Sequence, residues 1–459
     1  MTSHRCTTEQ AQRLGRAVSV RTITPLPDAH ESDPGYAAFD QFAAFLRAEF
    51  PLAASRLQWE RLGPLALLLT WKGTGTNAPL ALYAHCDVVP PGDESAWSHP
   101  PFAGDVTEEF VWGRGTLDDK GSLLALMETV EGLLSAGFTP ERTVNLAFGG
   151  DEEMNGVRGA AIIAAAFESK GIRPYCLVDE GSVIADGVLS IVRRPLAMVG
   201  IAEKGFANVR LTVTGTAGHS AMPGKGTAAG ALGAALAALE RHPFPQRLTP
   251  TVRRFFRALA PHVQPAMGAA LRFIGPLWPV LRRVLSADPS TDSLLRTTQA
   301  ITMLQASDRP NVLPGEASAI VNLRILPGES TASALERVRR VAAPYVHSPF
   351  SLSAAFPENA EASEPVPELN FDEALWGALR ESIAEVAPES AAVPFLVVMA
   401  TDSRKFANVA DAIVRFMPAV LKPSDIALIH GVDERISLDN FGRMIAFYTG
   451  FIRKVAGRR

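Results

Sequence analysis

The sequence predicts an α/β protein: a larger domain with a mostly parallel sheet flanked by helices, interrupted by a smaller inserted α+β domain with an antiparallel sheet. Three observations lead there. Apolar strand-like runs alternate with helical periodicity between residues 62 and 178, the pattern of a doubly wound domain. Near Glu203 the texture changes to alternating apolar and polar residues, as in strands with one exposed face. After about residue 361 the first pattern returns. At 459 residues the chain also exceeds what one core usually supports. The expected division is 1–202 and 361–459 for the larger domain and 203–360 for the inserted one.

In order, residues 62–71 and 80–89 read as buried strands. Residues 122–136 read as a helix ending near Gly137, 143–148 as a strand, 159–169 as a helix and 176–178 as a short buried strand. Residues 207–215 alternate as a half-exposed strand. An Ala-rich helix over 226–240, strands over 298–305 and 318–326, and a helix over 332–341 complete the inserted part. Residues 356–367, rich in Glu, Ser and Pro, read as the linker back to helix 373–386, strand 395–399 (in an apolar run over 393–400) and a last helix from Leu438.

Composition is ordinary for a folded soluble protein, with 47% hydrophobic and 20% charged residues. A net charge of −4 gives no reason to expect nucleic acid. Cys6, Cys86 and Cys176 form neither a disulfide framework nor a zinc-finger spacing. No apolar run approaches the ~18 residues of a membrane span, and residues 1–21 contain no apolar signal core. The expectation is a cytoplasmic protein.

The chemistry is carried by His85-Cys86-Asp87, Asp118-Asp119, Glu152-Glu153, Asp179-Glu180 and His430. The four pairs lie at or just after strand-like runs, where open α/β sheets bind ligands. His85 and Asp87 are two apart on a predicted strand and face the same way. That suits a histidine ligand and a carboxylate that fixes its tautomer; Cys86 then points into the core. Asp118-Asp119 follow Gly113-Arg114-Gly115. Two adjacent buried carboxylates repel unless a cation lies between them, although a solvated turn with an Asp N-cap would need none. Side chains of Glu152 and Glu153 diverge on a loop, so one can bind metal while the other faces metal-bound water as general base. Carboxylates and imidazoles without a thiolate pair suit zinc, cobalt or manganese. His219, in the turn 215–223, suits a donor to a developing oxyanion, or is merely exposed.

Together these runs resemble the zinc amidohydrolases that include aminoacylase, carboxypeptidase S, glutamate carboxypeptidase and succinyl-diaminopimelate desuccinylase. The matching stretches are 83–90 (YAHCDVVP), 112–122 (WGRGTLDDKGS), 149–153 (GGDEE), 178–181 (VDEG), 218–223 (GHSAMP), 311–314 (NVLP), 322–327 (NLRILP), 401–404 (TDSR) and 430–435 (HGVDER). The order is the family's own over most of the chain, and the nearest likeness is to the carboxypeptidase S branch.

The resemblance implies two zinc ions, with cobalt or manganese as substitutes. It implies that His85 binds one ion and His430 the other, and that Asp118 bridges both through a cis Asp118–Asp119 peptide. Glu152 is then the general base, Glu153 a ligand, and either Asp179 or Glu180 the remaining ligand. Arg324, Asn311 and Arg404 match positions that hold the substrate's carboxylate or acyl group; a guanidinium grips a carboxylate bidentately. The bland alternative for Arg324 is an ion pair with Glu316 or Glu329. The inserted domain would be a lid that dimerises, and His219 would then complete the partner's site. The implied reaction is hydrolysis of an N-acyl-L-amino acid, or of a dipeptide with a free C-terminal carboxylate. Rival readings are a narrow biosynthetic deacylase and a non-catalytic binder of amino-acid derivatives.

One segment departs from the smallest family members: a helical insert over about 242–297. Residues 251–284 carry six arginines (Arg253, Arg254, Arg257, Arg272, Arg282, Arg283) and no acid, with Phe255, Phe256, Leu259, Leu271, Phe273, Leu277 and Trp278 interleaved. Pro261, Pro265, Pro276 and Pro279 are expected to break it into short helices. The plain expectation is an insert packed on the lid with a basic outer face. The sharper one is an apolar acyl pocket or contact with an anionic surface.

Overall fold

The structure, a computed structural model, describes residues 4–26, 33–189, 191–347, 349–357 and 362–457. Its largest sheet runs Gln58–Gly63, Ala66–Trp71, Val144–Gly149, Leu80–His85, Cys176–Asp179, Ile413–Arg415, Leu196–Glu203, Ile184–Ala185 and Val420–Leu421, with Ala391–Val397 parallel beside Leu196–Glu203. The central strands, from Val144–Gly149 to Ile413–Arg415, are all parallel. They therefore end on one edge, and that edge carries the acid pairs.

Both faces of this sheet are covered, as parallel strands require. Alternation assigns the faces. Leu67, Leu69, Leu80, Leu82, Leu146 and Phe148 join helices Thr8–Val18, Lys120–Ser135, Glu373–Val386 and Leu438–Ala456 in one core. Leu68, Ala81, Tyr83 and Ala147 face helix Ala160–Ser169 in another. A four-stranded antiparallel sheet, ordered Thr298–Gln305, Glu316–Ile325, Gly205–Thr214, Ser351–Ala355, packs on helices Ala228–Arg241 and Thr331–Ala342.

Several expectations are corrected. Residues 62–71 are not one strand but the turn and second arm of a hairpin, in which Gly63 pairs with Ala66 around Pro64. The run 80–89 leaves the sheet at His85, so Asp87 lies past the strand end. The expected strand 395–399 is Ala391–Val397, and Ser351–Ala355 was not anticipated. Of the linker 356–367, residues 358–361 lie outside the described residues; beyond them Ser363 and Val366 bridge to Phe206 and Glu203.

The insert forms helices Pro250–Leu259, Pro265–Arg272, Ile274–Leu285 and Pro289–Leu295. Ile274–Leu285 runs through both Pro276 and Pro279. Pro276 sits in the first turn, where an N–H has no intrahelical acceptor anyway. The insert packs on the large sheet as well as on the lid, whose core takes in Phe244 and whose Glu329 lies 3.5 Å from Arg247. Val252, Phe255, Phe256 and Leu259 meet Leu196, Ala202, Val393 and Leu396, and the Phe255 and Phe395 rings lie 5.6 Å apart, edge to face. Even-numbered residues of Leu196–Glu203 face the insert, while Ala197, Val199 and Ile201 face the main core. Among the described residues no helix is long and apolar enough to cross a membrane.

Candidate functional site

The site is assembled by two devices. The first is the common edge of three neighbouring parallel strands. His85 ends Leu80–His85, Glu152 and Glu153 open the turn after Val144–Gly149, and Glu180 follows Cys176–Asp179. The second is a two-stranded ribbon, Phe110–Trp112 with Arg435–Ser437, which brings residues 430–434 beside the glycine turn 113–118. Glu434 ties that turn down. It is fully buried, pairs with Arg114 at 2.6 Å and accepts N–H donations from Gly115, Leu117 and Asp118. The Asp118–Asp119 peptide that follows is cis.

Asp118 stands between the two histidines. One carboxylate oxygen lies 2.9 Å from His85 Nε2 and the other 3.0 Å from His430 Nε2. His430, at φ 60°, also lies 3.1 Å from Glu153 Oε1, and Glu180 Oε1 lies 3.5 Å from His85 Nε2. Ligand atoms of His85, Asp118 and Glu153 converge within 4.8 Å of one another, as do those of His85, Asp119 and Glu180. Of the pair left open in the sequence, Glu180 reaches the cluster and Asp179 does not. The Asp179 oxygens accept from the backbone N–H groups of Glu180 and Ser403, at 2.8 and 2.9 Å.

Asp87 lies behind this cluster, fully buried. Its Oδ1 is 3.2 Å from His85 Nδ1 and accepts from Glu152 N at 3.1 Å; its Oδ2 accepts from Glu153 N at 3.1 Å and Thr24 Oγ1 at 2.9 Å. It therefore fixes both the imidazole and the loop that carries the two glutamates. Cys86 faces the main core, as expected.

The electrostatics call for cations. Burial pushes Glu180 well above the usual carboxylate range, with Asp118 and Asp119 adding to it. Burial does the same to Glu152, with His85 offsetting in part and Asp402 and Glu180 adding. Asp119 is raised too, chiefly by burial. Burial would also raise Asp118, but hydrogen bonds from His430 and His85 outweigh it and hold the group low. His430 is pushed up to about 10 by its contacts with Asp118 and Glu153. Five clustered carboxylates facing two imidazoles fit divalent cations, and a donor set of oxygen and imidazole nitrogen fits zinc, cobalt or manganese.

A cleft of about 420 Å³ opens from Glu152 and Glu153 toward Phe206, Arg324, Arg404 and Lys405. Arg324 lies over the Phe206 ring, 4.9 Å from its centroid. Burial lowers its pKa and the neighbouring Arg404 lowers it further. Neither Glu316 nor Glu329 pairs with Arg324; Glu329 lies 3.5 Å from Arg247 instead. Arg404 donates to the carbonyls of Thr401 and Asn155.

His219 and Asn311 are not brought to this cleft. His219 pairs with Val312 in an exposed ribbon, and Ser220 N donates to Asn311 O. The cause is the length of strand Gly205–Thr214. Arg324 pairs with Phe206 at its near end, and Glu316 with Thr214 at its far end. Eight residues at ~3.3 Å each separate the two ends by roughly 26 Å.

The protein's own sequence places it among known enzymes. The profile described as Peptidase family M20/M25/M40 matches residues 81–454. The chain belongs to this family. It is 36% identical over 452 residues to a probable carboxypeptidase S-like 2 of Dictyostelium discoideum, covering 97% of this chain and 85% of that one. It is 33% identical over 449 residues to the N-fatty-acyl-amino acid synthase/hydrolase PM20D1 of Mus musculus, covering 96% and 87%. Its fold matches that of the M20 family metallo-carboxypeptidase Sso-CP2 from Sulfolobus solfataricus, with a TM-score of 0.70 at 17% identity over 97% of this chain and 99% of that one. As an M20 family member it is a metal-dependent hydrolase of peptide or amide bonds, and its likeness to the carboxypeptidase S branch holds.

Two buried residues near the site had no role in the sequence reading. Glu434, which sits inside a quoted motif, organises the Asp118 turn. Asp402 accepts from Tyr83 Oη and is pushed up to about 6 by burial. Gly156 admits it: at φ 66°, a Cβ there would fall 1.8 Å from Asp402 Oδ1. Asp402 lies within the stretch TDSR, but only the fold shows its partner, Tyr83, more than three hundred residues away.

Proposed function

We propose that this chain is a binuclear zinc amidohydrolase that cleaves N-acyl-L-amino acids, or dipeptides with a free C-terminal carboxylate. The observation that carries this reading is the polarity of the cleft, with the acid–histidine cluster at one end and Arg324, Arg404 and Lys405 at the other. In this reading His85, Asp118 and Glu180 hold one ion, and His430, Asp118 and Glu153 the other. When bound, zinc would lower the pKa of a water to roughly 7 and would polarise the amide carbonyl. Glu152 would act as the general base, holding a proton at its carboxylate and passing it to the leaving nitrogen; burial raises its basicity for this task. Asp87 keeps His85 in the tautomer that offers Nε2 to metal. Arg324 grips the substrate carboxylate, and Phe206 keeps the guanidinium plane aimed into the cleft.

His219 enters as oxyanion donor only from a second copy, since its own ribbon lies at the far end of the lid sheet. A homodimer through the lid is therefore part of the proposal. The exposed Met303 and Leu304, on the edge strand of the lid sheet, support it.

The test is amino-acid release from a panel of N-acyl amino acids, from acetyl to long-chain, and Gly-Xaa dipeptides. Turnover should vanish with chelator and return with zinc. Glu152→Gln should keep two equivalents of metal and lose about 10²–10⁴-fold in kcat. Wild-type turnover by that variant would refute the assigned base.

A further inference from the structure

The insert helix Ile274–Leu285 is apolar on two faces. Ile274, Leu281 and Leu285 are buried in the cluster that the insert helices share with the large sheet. Phe273, Leu277, Val280 and Val284 are exposed, at 64%, 41%, 63% and 52%. Their spacing of i, i+4, i+7, i+11 puts them in one stripe on the outer face. Scattered apolar residues on a surface are ordinary, but a contiguous stripe marks a contact.

The charge around the stripe identifies that contact. Residues 251–284 contain no Asp or Glu, in a chain whose net charge is −4. Arg272, Arg282 and Arg283 are exposed and form no ion pair among the described residues; Arg283 borders the stripe, whereas Arg282 lies on the far side of the helix. Arg283 flanks the stripe three residues after Val280, and Arg272 ends the preceding helix Pro265–Arg272 directly before Phe273; their long stems can carry the charges to its rim. A second copy docking here about a two-fold axis would bring these same arginines together, which argues against self-association. An apolar stripe bordered by unpaired arginines complements a surface that is apolar beneath an anionic layer.

We propose that this face of the insert binds an anionic lipid surface, with Phe273, Leu277, Val280 and Val284 in the headgroup–acyl boundary and Arg272 and Arg283 on the phosphates. The insert packs on strands Leu196–Glu203 and Ala391–Val397. Both strands run toward the cationic end of the cleft, where Glu203 accepts from Thr401 N. Docking would hold that end of the cleft close to the lipid. The inference goes beyond the proposed reaction and does not depend on it.

The test is flotation of the full chain with vesicles of phosphatidylcholine alone, or with about a third phosphatidylglycerol. Binding to the anionic vesicles should be at least about tenfold stronger and weaken as salt rises. Leu277→Asp with Val280→Asp should cut it by at least about tenfold. Arg272→Glu with Arg283→Glu should abolish the preference for anionic lipid. Both pairs are exposed, so thermal unfolding and turnover of a short-chain soluble substrate should match wild type; if the Asp pair unfolds the chain, the Glu pair carries the test. No binding to either vesicle, or equal binding to both, would overturn the proposal. So would a concentration-dependent dimer that Leu277→Asp dissociates, because that would assign the face to a second copy.

Discussion

Replacing Asp87 by Asn tests how the site is held together, because the two side chains have the same shape and differ in hydrogen-bonding logic. Asp87 offers two acceptor oxygens, each facing two donors: Glu152 N and His85 Nδ1 at Oδ1, Glu153 N and Thr24 Oγ1 at Oδ2. Asn keeps one acceptor and turns the other atom into a donor. If the NH₂ replaces Oδ1, it opposes Glu152 N–H. If it replaces Oδ2, the Thr24 hydroxyl can turn to accept, but Glu153 N–H loses its partner. The second orientation is cheaper, yet it still removes one buried bond to a charged acceptor, worth about 1.5–3 kcal/mol. His85 is less affected, because the Asp87 carbonyl also lies 3.1 Å from its Nδ1. The disturbance should therefore fall on the Glu152-Glu153 loop. Thermal unfolding should show a lower melting temperature, and calorimetric metal titration a 10–100-fold loss of affinity, the usual size of an outer-shell effect. An Asp87→Asn protein with wild-type melting temperature and metal affinity would refute the account of Asp87 as the shared clamp.

Two more outcomes follow from the cleft and the buried acids. Arg324→Ala should raise KM by roughly 10–100-fold for substrates with a free carboxylate, the ~1.5–3 kcal/mol of a charge-assisted contact. It should have little effect on the same substrates amidated at that end; an equal loss on both would remove Arg324 from carboxylate binding. The metal-free protein should become less stable as pH rises from about 4 to about 7. Asp402 and Asp179 are pushed up to about 6 and about 7, mainly by burial, and His430 to about 10 by Asp118 and Glu153. The folded chain then binds more protons than the unfolded one, so stability is full below the unfolded pKa values and is lost as pH passes through the folded ones. Asp118, held low by the two histidines, acts in the opposite sense below about pH 4, and Lys120 and Lys204, lowered by burial to about 8 and about 7, do so above about pH 7 and offset His430 there. Melting curves in chelator should show the decline and added zinc should flatten it; a flat metal-free profile would contradict it.

Much of the fold and site was legible in the sequence because both rest on local order. Apolar runs of strand length alternating with helical periodicity give an α/β sheet, and acid pairs just past those runs must lie on its ligand-binding edge. That reasoning, with the family resemblance, picked out His85, Asp118, Glu152, Glu153 and His430 by motif and order, and the fold brings side-chain atoms of His85, Asp118 and Glu153 within 4.8 Å of one another. Tertiary structure decided what depends on which way a side chain turns. Asp179 and Glu180 are adjacent and chemically alike; only the Ser403 N–H, more than two hundred residues away, takes Asp179 out of the cluster. Asp402 and Glu434 act through partners equally remote in sequence. His219 and Asn311 lie in motifs, but the length of one strand keeps them at the far end of the lid sheet. The insert was readable as basic, apolar and helical. That it covers the catalytic sheet and leaves Phe273, Leu277, Val280 and Val284 outside follows from a vacant sheet face elsewhere in the fold. Composition fixes which surfaces must be buried or charged; only the packed chain fixes which of them meet.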